Sequence, residues 1–128
     1  GRCRLYVEIG GFYKKMIAAQ IDGTDEGIYR KYWNSLSQLK ALNDENPDRE
    51  LITLRMYHEI VVRVTEYARY FMDDGVPRAE VETMFDSIDA DLCRMKEGAA
   101  PAVCTEIEKI QTLRTLADKI VRSTYKEE

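Results

Sequence analysis

Residues 47–73 have the sequence PDRELITLRMYHEIVVRVTEYARYFMD, a long stretch with helical periodicity. At 100° per residue, its apolar side chains cover an arc wider than the roughly 100° stripe of an ordinary surface helix. The opposite side alternates basic and acidic residues at spacings of three and four, which is typical of a solvated face. Because so broad an apolar face contacts two or more neighbours, the stretch predicts a long helix at the centre of a bundle.

Apolar stripes of the same kind lie on both sides of this stretch. They predict helices over about 4–20, from an N-cap at Thr24 through Leu39, over 77–96 and over 101–125. Gly10 and Gly11 interrupt the first segment, which we interpret as one helix, with a kink or a start at Gly11 as the alternative. The connections are about five residues or fewer, and short connections make successive helices antiparallel neighbours. We therefore expect a single all-α domain over 1–128, an up-and-down bundle of four to five antiparallel helices with a long central third helix.

The composition is that of a globular protein, with 45% hydrophobic and 33% charged residues. Residues 1–40 carry seven Lys or Arg against four Asp or Glu, and residues 41–100 carry seven against fourteen. The acidic middle disfavours non-specific binding to nucleic acid. No apolar run approaches the roughly 20 residues that cross a bilayer. Three cysteines without a CxxC pair favour a reducing, cytoplasmic setting over a disulfide framework.

Enzyme chemistry has little support in the sequence. The one histidine, His58, lies at the edge of a polar face, so neither a di-iron bundle nor a histidine zinc site is expected. Cys93 lies beside carboxylates that disfavour a thiolate, and Cys104 is on a polar side; a disulfide between these two is the alternative. No nucleophile motif or phosphate-binding loop is present. We expect a non-enzymatic chain without a metal or cofactor, although an apolar small-molecule pocket between helices would resemble core.

Two surfaces are candidates for binding a protein partner or a second copy. Ile52, Met56 and Tyr70 extend beyond the main apolar arc of the third helix and predict an apolar seam, unless the first helix of the bundle covers it. Glu82, Asp86 and Asp89 share one flank of the fourth helix. This acidic strip is interpreted as a solvated face, as a docking surface for a basic partner, or as a divalent-metal site.

The alternative function is contact with nucleic acid. Lys14, Lys15, Arg30 and Lys31 would share a basic surface if the first two helices are antiparallel neighbours. The aromatic residues near them, Tyr29 and Trp33, lie within an apolar arc and are expected in the core. We therefore consider a nucleic-acid partner less favoured than a protein.

Overall fold

The computed structural model describes residues 14, 27–45 and 50–126. These residues form four helices, in chain order α1 (Ile28–Glu45), α2 (Glu50–Asp73), α3 (Arg78–Lys96) and α4 (Pro101–Thr124), and contain no strand. The all-α prediction is confirmed. The predicted helix over 4–20 lies outside the described residues, apart from Lys14, which is helical and exposed.

The core is built from the apolar stripes that the periodicity predicts. Tyr29 and Trp33, two aromatic residues of α1 near the basic positions, are buried as expected. α2, α3 and α4 bury most residues of their predicted stripes, namely Leu54, Met56, Tyr57, Ile60, Val61, Val64, Ala68, Phe71, Val81, Met84, Phe85, Ile88, Leu92, Ile107, Ile110, Ala117 and Val121. The other stripe residues are only partly buried, namely Tyr67, Met95, Val103, Leu113 and Ile120. None of the described helices is long and apolar enough to span a membrane.

The helix α2 packs against each of the other three and most extensively against α4. It is not longer than all the others, because α2 and α4 have 24 residues each. Tyr67 has non-helical backbone angles (φ −124°, ψ 19°) and marks a kink in α2. Two residues earlier, the Thr65 hydroxyl donates to the Val61 carbonyl at 2.8 Å, a bond that bends helices.

The turn between α2 and α3 follows its sequence signals. Gly75 adopts φ +85°, and the Val76 and Gly75 amides donate to the carbonyls of Phe71 and Met72 at 2.9 and 3.0 Å. This is the pattern of a Schellman helix end, which favours glycine because a left-handed φ strains other residues. Pro77 then stands in extended conformation directly before α3.

The start of α1 differs from the prediction. Thr24 lies outside the described residues, Gly27 forms a turn with φ +78°, and the helix begins at Ile28. The acceptor at this helix end comes from the α2–α3 turn, since Asp74 Oδ2 lies 2.8 Å from the Tyr29 amide and 3.3 Å from the Arg30 amide. A carboxylate at a helix N-terminus satisfies unpaired N–H groups and favours the helix dipole. The cap is thus supplied by tertiary structure.

Candidate partner-binding surfaces and a buried polar network

Tyr70 is exposed and held in place. It is 44% exposed and, with Leu116, is one of two large exposed apolar side chains in the described residues. Its ring stacks on Tyr29 with centroids 4.8 Å apart and planes 18° apart. The Tyr67 and Phe71 rings also lie within 6 Å of Tyr29. The stacking restricts the Tyr70 ring while leaving its outer face in solvent.

The other two predicted seam residues are not exposed beside it. Met56 is 2% exposed and belongs to the core. Ile52 lies in the first turn of α2, and its side chain is outside the described part of the structure. Tyr70 is therefore the one residue of the predicted seam for which exposed side-chain surface is described.

The acidic strip of α3 contacts α4 through Asp89. Glu82 accepts from Arg78 at 2.7 Å, Asp89 pairs with Arg114 of α4 at 3.3 Å, and Asp86 is exposed. Within the described ranges, no group of three or more His, Cys, Asp or Glu side chains is placed to hold a metal ion. Asp86 thus extends from a strip whose two other carboxylates already have basic partners.

Charge remains unbalanced around Asp89 despite its ion pair. Burial raises the pKa of this carboxyl, Arg114 lowers it, and the charges of Asp86 and Asp118 raise it again, so that the net shift is upward. The Arg114 guanidinium also lies over the Phe85 ring, 4.2 Å from its centroid. Arg114 is therefore held by the core as well as by carboxylates.

Part of the predicted basic surface is already paired with acceptors within the chain. Arg30 forms a bidentate ion pair with Glu80, at 2.8 and 3.3 Å, and also donates to the Gly75 carbonyl. Lys14 and Lys31 are exposed, and Lys15 lies outside the described residues. The nucleic-acid alternative stays a prediction.

A buried polar network joins α1, α2 and α3, and it is not among the features predicted from the sequence. The Lys40 side chain is 6% exposed. Its ammonium donates to both oxygens of Asp44 (2.7 and 2.8 Å), to Ser87 Oγ (2.8 Å) and to Asp91 (3.3 Å). Tyr57 of α2 donates a hydrogen bond to the same Asp91 oxygen. One carboxylate thus connects three helices.

The network fixes the protonation of its members. Burial tends to raise the pKa of Asp91, but the Tyr57 hydrogen bond and the Lys40 charge outweigh it and lower the pKa. Burial and the Asp91 hydrogen bond raise the pKa of Tyr57 far above its ordinary value. The cluster borders a polar cleft of about 440 Å³, where Thr53 donates to Asn43 at 3.0 Å. Asp91 therefore stays ionised and Tyr57 stays a donor.

A sequence signal for Lys40 exists. It lies four residues after Leu36 and seven after Trp33, on the buried stripe of α1. A lysine at that phase needs a buried counter-charge. Its partner Asp91 is 51 residues away, and periodicity does not identify a pairing over that distance.

The remaining candidates for chemistry are dispersed. His58 is exposed, and it lines a groove between α2 and α4 with Glu59 and Glu106. Cys93 and Cys104 are free thiols, without a disulfide between them.

Similarity to known proteins adds no information about the fold or the function of this chain. No family model matches the chain, and neither a curated protein nor a solved structure matches it.

Proposed function

We propose that this chain is a non-enzymatic helical module that binds another protein or a second copy of itself, with Tyr70 at the centre of the contact. The observation that supports this is an aromatic side chain 44% exposed and stacked on a buried one at 4.8 Å. Tyrosine is enriched in interfaces because its ring buries apolar area while its hydroxyl remains hydrogen-bonded.

The stacking also favours binding through entropy. Association is opposed by the ordering of mobile side chains at the interface, typically about 0.5–1.5 kcal/mol for each one. The Tyr70 ring is already restricted by Tyr29, so a partner orders little that is not ordered in the free chain. A pre-positioned aromatic ring of this kind is suited to anchor a protein contact.

A charged contact on α3 completes the proposal. Glu82 and Asp89 have basic partners within the chain, whereas Asp86 is exposed. Asp86 is thus the member of the strip best placed to meet a basic group of a partner. Exposed charges of this kind contribute mostly to association rate and orientation.

We also infer that the described helices run up and down in sequence order. The Lys40–Asp91 and Arg30–Glu80 pairs support parallel α1 and α3, since both partners advance together. The Lys96–Glu108 and Asp89–Arg114 pairs support antiparallel α3 and α4. The proposal also includes a fifth helix over 4–20. It further includes a single domain that covers residues 1–128.

A cytoplasmic location belongs to the same proposal. Support comes from the free thiols of Cys93 and Cys104 in a chain with three cysteines.

The test is site-specific photo-crosslinking in cells, combined with sedimentation of the purified chain. Tyr70 is replaced by p-benzoylphenylalanine, and Thr112, exposed on α4, is replaced in the same way as a matched control. We expect discrete crosslinked products from position 70 and not from position 112. A second copy as the partner would also give a dimer in sedimentation equilibrium.

Substitutions then measure the contact. If Tyr70 is an anchor, Tyr70→Ala weakens binding by about thirty-fold, equivalent to about 2 kcal/mol, with unchanged far-ultraviolet circular dichroism. Asp86→Lys slows association and alters its salt dependence. The proposal is wrong if position 70 gives no more products than position 112 and the chain sediments as a monomer.

A further inference from the structure

The polar cleft of about 440 Å³ lies at the far end of the bundle from Tyr70. Asn43 on its lining and Tyr29, on which Tyr70 stacks, are 14 residues apart on α1, so about 21 Å of helix separates the two places. The cleft volume falls within the range of small-molecule sites, roughly 300–1,000 Å³. The cleft is therefore a candidate site of its own, and its occupation does not depend on the proposed contact at Tyr70.

A buried amide on the lining of the cleft lacks acceptors. Asn43 is 3% exposed, and its side-chain oxygen accepts a hydrogen bond from Thr53 at 3.0 Å. In the described part of the chain, the two hydrogens of its side-chain nitrogen have no acceptor. Buried polar side chains are paired in the large majority of proteins, so this exception calls for an explanation. Asn43 Nδ2 is not among the unpaired atoms that are sealed from solvent, so an acceptor bound in the cleft can reach it.

Arg94 supplies further donors on the same lining. Its Nη1 atom pairs with Asp91 at 3.0 Å, but the side chain is 65% exposed. A guanidinium carries five N–H donors in a planar fork, which leaves donors for a second carboxylate. The Asn43 amide and the Arg94 guanidinium together offer a place for a carboxylate of a ligand.

The charges around the cleft disfavour a ligand that is only an anion. Three carboxylates line it, those of Asp44, Asp91 and Glu97. Two positive charges oppose them, on Arg94 and on the buried Lys40, so one negative charge remains in excess. Glu97 has no ion pair within the described ranges, and it caps the C-terminus of α3, where the helix dipole is negative. A ligand that brings a carboxylate must therefore bring a positive group as well.

We propose that this cleft binds an α-amino acid in its zwitterionic form. The carboxylate of the ligand accepts hydrogen bonds from Asn43 Nδ2 and from the Arg94 guanidinium. Its ammonium group donates to the carboxylates of Glu97 and Asp44, which is half-exposed. An apolar ligand side chain packs against Met95, which lines the cleft and is partly buried against the core.

The probe is L-leucine, titrated into the full ¹⁵N-labelled chain and followed by proton–nitrogen correlation spectra. We expect one side-chain amide pair to shift and to saturate below about 10 mM, and this pair is assigned to Asn43 by its loss in Asn43→Asp. N-acetyl-L-leucine lacks the ammonium group, and L-leucinamide lacks the carboxylate. Each should bind about ten-fold more weakly or worse, the usual effect of losing a hydrogen bond to a charged group.

Variants of the lining locate the ligand. Arg94→Gln and Glu97→Gln alter exposed side chains and should each weaken leucine binding about ten-fold. Asn43→Asp keeps the acceptor of Thr53 but places a negative charge where the ligand carboxylate binds, so it should weaken binding at least as much. Glu66→Gln, exposed on α2 outside the lining, is the matched control and should leave the affinity unchanged. Circular dichroism verifies that each variant is folded.

Any of three results would overturn the proposal. The first is the absence of a saturable shift with leucine up to about 10 mM. The second is equal affinity for leucine and its two derivatives, because neither charged group of the ligand would then be recognised. The third is leucine binding that is unchanged in both Arg94→Gln and Glu97→Gln, since the ligand would then occupy a different place.

Discussion

Removal of the Lys40 ammonium should destabilise the bundle, and Lys40→Met is the change that removes it while keeping an unbranched, apolar side chain out to Cε. Breaking a buried ion pair costs about 3–5 kcal/mol when the remaining charge is left uncompensated. Here Asp91 keeps its hydrogen bond from Tyr57 and its ion pair with Arg94 at 3.0 Å, while Asp44 is half-exposed and regains water. We therefore expect a smaller loss, about 2 kcal/mol, or roughly 8 °C in Tm for a domain of this size.

Removal of the Asp91 carboxylate should destabilise the bundle more than removal of the Lys40 ammonium. Asp91→Leu removes the acceptor of Tyr57 and one of the carboxylates around Lys40, so two buried donors lose a partner. We expect a loss of about 3–4 kcal/mol. In the double variant neither charge remains, and the loss should fall well below the sum of the single losses, by about 2 kcal/mol.

The assay is urea unfolding followed by circular dichroism at neutral pH, with all three variants and the wild type. The exposed pair Arg69–Asp73 supplies the control, because Arg69→Met should change the free energy of unfolding by less than about 0.5 kcal/mol. If the losses from Lys40→Met and Asp91→Leu add within about 0.5 kcal/mol, the two groups do not interact and the network interpretation is refuted.

Four further predictions concern pH and the backbone. The pKa of Asp91 is lowered in the folded chain, so the ionised carboxylate stabilises the fold above the ordinary Asp pKa, and this stabilisation is lost as the pH falls through the folded-state pKa. Asp91→Asn should therefore weaken the dependence of the free energy of unfolding on pH in the acid range. Burial raises the Asp89 pKa, so Asp89→Asn should be no less stable than the wild type at neutral pH, with any gain vanishing on acidification. The raised pKa keeps Tyr57 protonated near pH 10, so Tyr57→Phe should not change the tyrosinate absorbance that the folded chain gains at that pH. Gly75→Ala should cost about 1 kcal/mol in urea unfolding, because φ is +85° and an added Cβ meets no atom within 4 Å.

The helices and their buried faces are predictable from the sequence because both depend on local spacing. The bounds of α3 and α4 agree with the predicted bounds to within one residue, because Pro77, Gly98 and Pro101 mark where these helices begin and end. Glycine and proline act on the backbone of their own position, and no distant contact is needed to interpret them.

The candidate sites were harder to predict, for two physical reasons. A helical wheel assumes 100° per residue throughout, but Tyr67 breaks the helical angles between Met56 and Tyr70, so the phase relation of these two residues is not that of an ideal helix. The Lys40 network arises where α1, α2 and α3 meet, and the periodicity of a single helix does not predict which helices pack together.

The Asp74 cap has a consequence for synthesis. The carboxylate that receives the Tyr29 amide is 45 residues further along the chain. While the ribosome makes the protein, α1 emerges before Asp74, so the Asp74 cap on its first turn forms only after the α2–α3 turn has appeared. The first turn of α1 therefore gains its full set of hydrogen bonds later in synthesis than the residues of α1 themselves.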